Sequence, residues 1–367
     1  STPSGELEGQ TTESASRFAI DSSRLGTYLE TQSFGFRGLR HIRKFSTGQS
    51  NPTFRLDAAS GSYVLRSKPP GRLIRSAHMI EREFRVLRAL ATTDVPVPRV
   101  HHYCEDATVM GAPFYVMDFV EGRVFNDATL PDVDPTSRRA MYRSALTTLV
   151  RIHGVDLNAA GLSDFGRHGG YYLRQIKRLA AVTEQQVNDA VKPLPHLATI
   201  LEWSRANLPH DQVTLVHGDF KFDNLLFHPT EPRVVAVLDW EMSTIGHPLS
   251  DLANWCMFYH LPPESPLPSL RAPVAGIPPE PQLLDWYASQ RGQEPLPERE
   301  WLFAVAFAFF RMSVILQGVA FRASRGQASS GRAAMIGGYA TQLAQGSWRA
   351  MMQGSLNGLD GVGTEDE

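Results

Sequence analysis

The stretch Leu215-Val216-His217-Gly218-Asp219-Phe220-Lys221-Phe222-Asp223-Asn224-Leu225-Leu226 decides how the rest of the chain is read. Apolar, strand-forming residues lead into a polar turn, and a second apolar run leaves it. Asp219 and Asn224 therefore sit on one short loop. Downstream, Val234-Val235-Ala236-Val237-Leu238 reads as a further strand that delivers Asp239 at its end. Two carboxylates and one amide oxygen at strand ends suit phosphoryl transfer, in which the protein positions the acceptor and neutralises phosphate charge. Mg²⁺ takes hard oxygen ligands and keeps several waters, so Asn224 and Asp239 are the expected metal ligands. Asp219 is the expected base for the acceptor hydroxyl, and His217 the expected brace of the loop. The plainer alternative is that Asp219 and Asn224 only make a turn, which both residue types favour. A strand-borne Asp239 behind them argues against it.

On the N-terminal side, short strands are predicted at Leu39–Phe45, Thr53–Asp57, Ser62–Arg66, Val100–Cys104 and Pro113–Asp118. One helix interrupts them; it begins near Ser76 and carries Ile80, Phe84, Leu87 and Leu90 at helical spacing. From about Thr136 the pattern turns helical, with Met141, Ala145, Leu149 and Ile152 on one face. Further helical segments cover roughly 171–190, 196–208, 282–290, 298–324 and 331–353. The strands Val213–Val216, Leu225–Phe227 and Val234–Leu238 form an island within this half. The outcome is an α+β chain of two lobes: 21–118, a small antiparallel sheet with one helix, and 119–353, larger and mainly helical. The ends, 1–20 and 354–367, are rich in small and polar residues and are expected to be loose.

Composition narrows the function classes. A formal net charge of -2 gives no general pull toward nucleic acid or an anionic membrane. The two cysteines, Cys104 and Cys256, lie far apart and outside any metal-binding spacing, which fits a reducing compartment. The longest apolar run, Trp301 to Phe310, is about half the length of a membrane span. A cytoplasmic protein acting on a small molecule, without a nucleic-acid or membrane partner, is the expectation.

The segment HGDFKFDN followed by VLDWE resembles the signature of aminoglycoside phosphotransferases, choline kinases and related kinase-like enzymes. Trp240-Glu241 stands where protein kinases carry Phe-Gly after the metal-binding Asp. The run Ile245-Gly246-His247-Pro248-Leu249-Ser250-Asp251-Leu252-Ala253 fits the same branch, with Asp251 as a structural anchor. The resemblance implies a bilobal protein-kinase-like fold, ATP as phosphoryl donor with GTP as the alternative nucleotide, Mg²⁺, and a hydroxyl acceptor on a small molecule. It also implies roles in the N-terminal lobe. Gly48, in the loop Ser46–Asn51, would help cover the phosphates; an ordinary hairpin loop is the alternative. Arg66 stands where the family has a phosphate-contacting Lys, and Lys68, two residues on, is the alternative. Glu83 is the expected helix partner of that cation, ahead of Glu81. Met117 would back the adenine, while the Asp118 carbonyl and the Val120 N–H read its edge.

Within the family, the segments YVLRSKPPG, EREFRVLRAL and VLDWEMSTIGHPLSDLANW look closest to the kinase-like domain joined to acyl-CoA dehydrogenases and to its free-standing bacterial relatives. That kinship implies a hydroxyacyl-CoA acceptor. Aminoglycoside phosphorylation is one alternative; a catalytically weak, nucleotide-binding pseudokinase, motivated by Arg66, is another. Arg311, Ile315, Gly318 and Arg322 share a face of the 298–324 helix. The two arginines suit a phosphate or carboxylate on the acceptor, or else pair with acidic residues inside the lobe.

Overall fold

The computed structural model describes residues 20–45, 51–69, 77–326 and 330–362. They divide into two compact units. The first takes the chain as far as Val124 together with Asp156–Ser163 and Asp223–Ser243; the second comprises Phe125–Val155, Asp164–Phe222 and the chain from Thr244 onward.

The first unit opens with helix α1 (Ser22–Glu30), capped by Asp21, whose carboxylate accepts the Arg24 N–H. Strands β1 (Leu39–Lys44), β2 (Thr53–Ala58) and β3 (Gly61–Ser67) follow, then helix α2 (Ala77–Leu90) and strands β4 (Val100–Cys104) and β5 (Phe114–Asp118). All neighbours pair antiparallel, in the order β1-β2-β3-β5-β4. Side chains alternate across the sheet. On one face Phe54, Leu56, Tyr63, Leu65, Phe114 and Val116 pack with Leu25 and Leu29 of α1 into a buried core. On the other, Phe84 of α2 lies against Tyr103 and Tyr115, with ring centroids 5.6 and 6.1 Å apart. That second face also carries Arg66. Helix α1 has no counterpart among the sequence expectations, because it is short and only Leu25, Tyr28 and Leu29 stand at helical spacing among small and polar residues. The predicted cap Ser76 and the loop residue Gly48 lie outside the described residues.

The second unit is built on helices α3 (Pro135–His153), α4 (Tyr171–Asn188), α5 (Leu197–Ala206), α6 (Pro248–Cys256), α7 (Glu280–Gln290), α8 (Glu298–Arg325) and α9 (Ser330–Gln353). Asp134 caps α3 and Pro135 occupies its first turn, where a missing N–H does no harm. Helix α8 is long and apolar enough to cross a membrane. Every residue from Trp301 to Phe310 is nevertheless buried inside this unit, so that stretch serves the core. The chain beyond Gly354 is not loose as far as Val362. A 3₁₀ helix spans Leu356–Gly361, and Leu359 and Val362 are buried. A side chain at Gly358 would bring its Cβ within 2.4 Å of the Ala350 backbone nitrogen, so glycine allows this segment to lie directly on α9.

The predicted strand island divides in two. Strand β6 (Thr214–Val216) does not pair with β7 (Leu225–Phe227). It pairs with β9 (Thr244–Gly246) in the second unit, whereas β7 pairs with β8 (Val234–Val237) in the first. Three-residue strands, buried throughout, carry no alternation that would mark a partner. The units therefore divide the central motif between Phe222 and Asp223.

Candidate active site

In the second unit, the loop that leaves β6 hangs from one buried carboxylate. Asp251, in the first turn of α6, accepts the N–H of His217 at Oδ2 and the N–H of Gly218 at Oδ1, each at 2.8 Å. His153, at the end of α3, places Nε2 2.9 Å from Oδ2 of the same carboxylate and Nδ1 2.8 Å from the Tyr287 hydroxyl. Burial by itself would raise the Asp251 pKa, but the hydrogen bond from His153, the neighbouring imidazoles and the Gly218 N–H outweigh it, and the net direction is down. Burial lowers the His153 pKa by more than Asp251 raises it. The pair is thus a carboxylate accepting a hydrogen bond from a neutral imidazole.

His217 is itself fully buried, and its Nδ1 accepts the Asp219 N–H at 3.1 Å. Gly218 has φ +90°, a conformation L side chains rarely adopt. Beyond it the side chains alternate. Phe220 and Phe222 point inward, with ring centroids 5.3 and 6.2 Å from Trp255. Asp219 and Lys221 are left outward, their side chains 43% and 37% exposed, with Nζ 3.9 Å from Oδ1. An exposed carboxylate on a backbone fixed by buried hydrogen bonds is a suitable acceptor for a substrate proton.

The first unit holds the other oxygen donors and the cationic group. The Asn224 carbonyl accepts the Leu238 N–H at 2.9 Å, which ties Asn224 to the residue preceding Asp239. Asp239 has φ +58°, a left-handed conformation that few non-glycine residues hold without a surrounding reason. Its Oδ1 lies 3.4 Å from Nη2 of Arg66, and the same nitrogen lies 3.9 Å from Oε2 of Glu241. Arg66 Nε is 2.9 Å from Oε1 of Glu83, with the two side chains 5% and 2% exposed. The Tyr115 hydroxyl donates to the same Glu83 oxygen at 3.4 Å. Burial pushes the Glu83 carboxyl up to about 7 against the pull of Arg66. Burial would lower the Arg66 pKa, but Glu83 and its acidic neighbours raise it overall. Glu81, the alternative helix partner, is exposed. Lys68 is buried just past the end of β3.

In the segment predicted to read adenine, Met117 lies within β5 and is buried. The Asp118 N–H donates to the Arg99 carbonyl at 2.8 Å, and its carboxylate stands 2.5 Å from Nε2 of His101. The Val120 N–H donates to no described residue.

The two arginines of α8 are not brought to one place. Arg311 lines a small cavity with Tyr171, Gln175, Ser250, Asn254 and Phe307. Arg322 stands about three turns, or roughly 16 Å, farther along the helix axis. Tyr287, Phe303 and Phe307 are core residues, while Trp286 is partly exposed beneath the guanidinium groups of Arg139 and Arg143. Sequence reasoning missed His153, Tyr115 and Glu241. A histidine ending an apolar helix face was the one available sign of the first; Glu241 was visible only as the neighbour of Asp239.

A family model described as the phosphotransferase enzyme family matches residues 41–302. Acyl-CoA dehydrogenase family member 10 of Mus musculus is 42% identical over 318 residues, which cover 85% of this chain and 29% of that protein. Acyl-CoA dehydrogenase family member 11 of Rattus norvegicus is 41% identical over 335 residues, covering 89% of this chain and 42% of that protein. The chain spans less than half the length of these curated relatives. A crystal structure provisionally named an aminoglycoside phosphotransferase, from Ralstonia eutropha JMP134, is 39% identical and superposes with a TM-score of 0.80, covering 91% of this chain and 99% of that one.

Proposed function

The chain belongs to the phosphotransferase enzyme family, and from that premise we propose that it moves the γ-phosphoryl group of ATP to a hydroxyl of a small molecule. Its α+β architecture is the kinase-like fold of that family. The observation that carries the reading is the presentation of Asp219. Its backbone is held through His217 and Gly218 by the buried Asp251, while its own carboxylate is exposed.

Asp219 accepts the proton of the acceptor hydroxyl as that oxygen attacks phosphorus. The donors proposed for Mg²⁺ fit a hard cation: the amide oxygen of Asn224 and the carboxylate of Asp239, joined by the Asn224–Leu238 backbone bond. When bound, ATP with Mg²⁺ supplies the phosphoryl group and neutralises charge on its phosphates. The backbone from Asp118 to Val120 reads the adenine edge, and a cation at the end of β3 serves the phosphate side.

For the acceptor we propose a hydroxylated acyl compound such as a hydroxyacyl-CoA. What supports it is the kinship with acyl-CoA dehydrogenase family members at 42% and 41% identity. An acceptor screen read by ADP release tests both levels, with hydroxyacyl-CoAs, sugars, amino alcohols and aminoglycosides as candidates. Release stimulated by hydroxyacyl-CoAs is the expected result. Stimulation by aminoglycosides alone would reject the acceptor, and no stimulation by any class despite ATP binding would favour a pseudokinase.

A further inference from the structure

We propose that Lys68, rather than Arg66, contacts the phosphates of the nucleotide, and that Arg66 is a positioning residue committed to carboxylates. This assignment rests on the ATP reading above and divides the tasks of the cationic strand end between two side chains.

Arg66 is already engaged. Its guanidinium lies within 2.9 Å of Glu83, 3.4 Å of Asp239 and 3.9 Å of Glu241. A planar fork with several N–H donors suits such a group of carboxylates, and each contact restricts how far the head can turn. Moving it onto a phosphate would leave Glu83, which is 1% exposed, without its counter-charge.

Lys68 is in the opposite condition. It is 4% exposed, yet its ammonium has no hydrogen-bond or ion-pair partner among the described residues. Most of the residue is covered, but the ammonium is not one of the sealed polar atoms of the fold, so its head is open to an anion that comes to it. The main chain on either side is held. The Lys68 N–H donates to the Pro113 carbonyl at 3.3 Å, and its carbonyl accepts from the Ser67 hydroxyl at 2.9 Å. The side chain thus leaves from a fixed point, two residues after Arg66 and one past the end of the strand. The carboxylates whose charge acts on it, Glu83 and Glu241, are both already engaged by Arg66. Burial accordingly lowers the Lys68 pKa, with those two carboxylates pulling against it. A compact ammonium on a flexible stem meets a phosphate as a point charge.

The test measures binding of ATP·Mg²⁺ and of adenosine by calorimetry, with a melting temperature for each variant. Lys68→Met is expected to weaken ATP about tenfold or more, to leave adenosine binding unchanged, and to melt no lower than the wild type. Lys68→Arg should recover part of the ATP affinity. Arg66→Lys is expected to lower the melting temperature and to shift ATP and adenosine binding together. The assignment is overturned if Lys68→Met binds ATP like the wild type. It is equally overturned if that variant loses ATP and adenosine alike with a lower melting temperature, or if Arg66→Lys alone shows the ATP-selective loss. A wild-type chain that binds neither ligand rejects the nucleotide reading itself, which separates the two failures.

Discussion

The Nε2 of His153 stands 2.9 Å from Oδ2 of Asp251, with neither side chain exposed to solvent. The contact continues in both directions. Arg291 donates to the Tyr287 hydroxyl at 2.9 Å, that hydroxyl lies 2.8 Å from Nδ1 of His153, and Asp251 passes the chain on to the backbone of His217 and Gly218. With the imidazole neutral, each donor finds an acceptor only if Nε2 carries the proton. The ordering of the Asp219 loop therefore rests on helices α3, α6 and α7.

Asp251→Asn keeps the size of the side chain but presents an NH₂ where an acceptor is required. One of the donors from His217, Gly218 or His153 is left facing another donor. The expected loss of stability is about 2–4 kcal/mol, measured by urea unfolding, with a fall in turnover because Asp219 is no longer held. Unchanged stability would mean that the loop has another anchor.

The same pair sets a pH dependence. The folded pKa of His153 lies below its ordinary 6.5, so the unfolded chain binds more protons once pH falls past that value. This contribution is complete above pH 6.5 and declines as pH drops toward the folded pKa. Asp251, also lowered from 3.8, adds a further loss at more acidic pH. Melting temperatures taken between pH 8 and pH 5 should fall on the acid side, and His153→Gln should flatten that slope. An equal slope in both proteins would remove His153 from the account.

Arg66→Met leaves Glu83 buried without its counter-charge. A stability loss of about 3–5 kcal/mol is expected. The double variant Arg66→Met/Glu83→Met removes both charges and should recover much of that loss. Chemical denaturation of the two singles and the double closes the cycle; additive losses would show that the 2.9 Å contact contributes no coupling.

Asp219→Asn is expected to lower phosphotransfer about 10²–10⁴-fold. Its side chain is 43% exposed, so stability should stay within about 0.5 kcal/mol of the wild type. ADP release and a thermal melt on the same preparation separate the two effects. Full activity in this variant would exclude Asp219 as the base.

Gly122→Ala tests the exit from β5. A Cβ there would sit 2.4 Å from the Phe227 carbonyl oxygen, which accepts the Arg123 N–H at 2.7 Å. The expected cost is about 1–3 kcal/mol, read as a lowered denaturation midpoint.

The candidate site residues could be named from the sequence because local rules place them. Strand, turn and strand put Asp219 and Asn224 on one loop whatever the rest of the chain does, and helical periodicity marks α3 over several turns. Partnership was decided only by the tertiary structure. The pairing of β6 with β9 instead of β7 and the reach of His153 to Asp251 depend on distances between segments remote in sequence. Short strands buried throughout have no pattern to specify a partner. A buried charge is stable only beside the counter-charge that packing brings to it. Residue identity and spacing thus determined which groups the chain offers for phosphoryl transfer, and packing determined which of them lie exposed and which are held against one another.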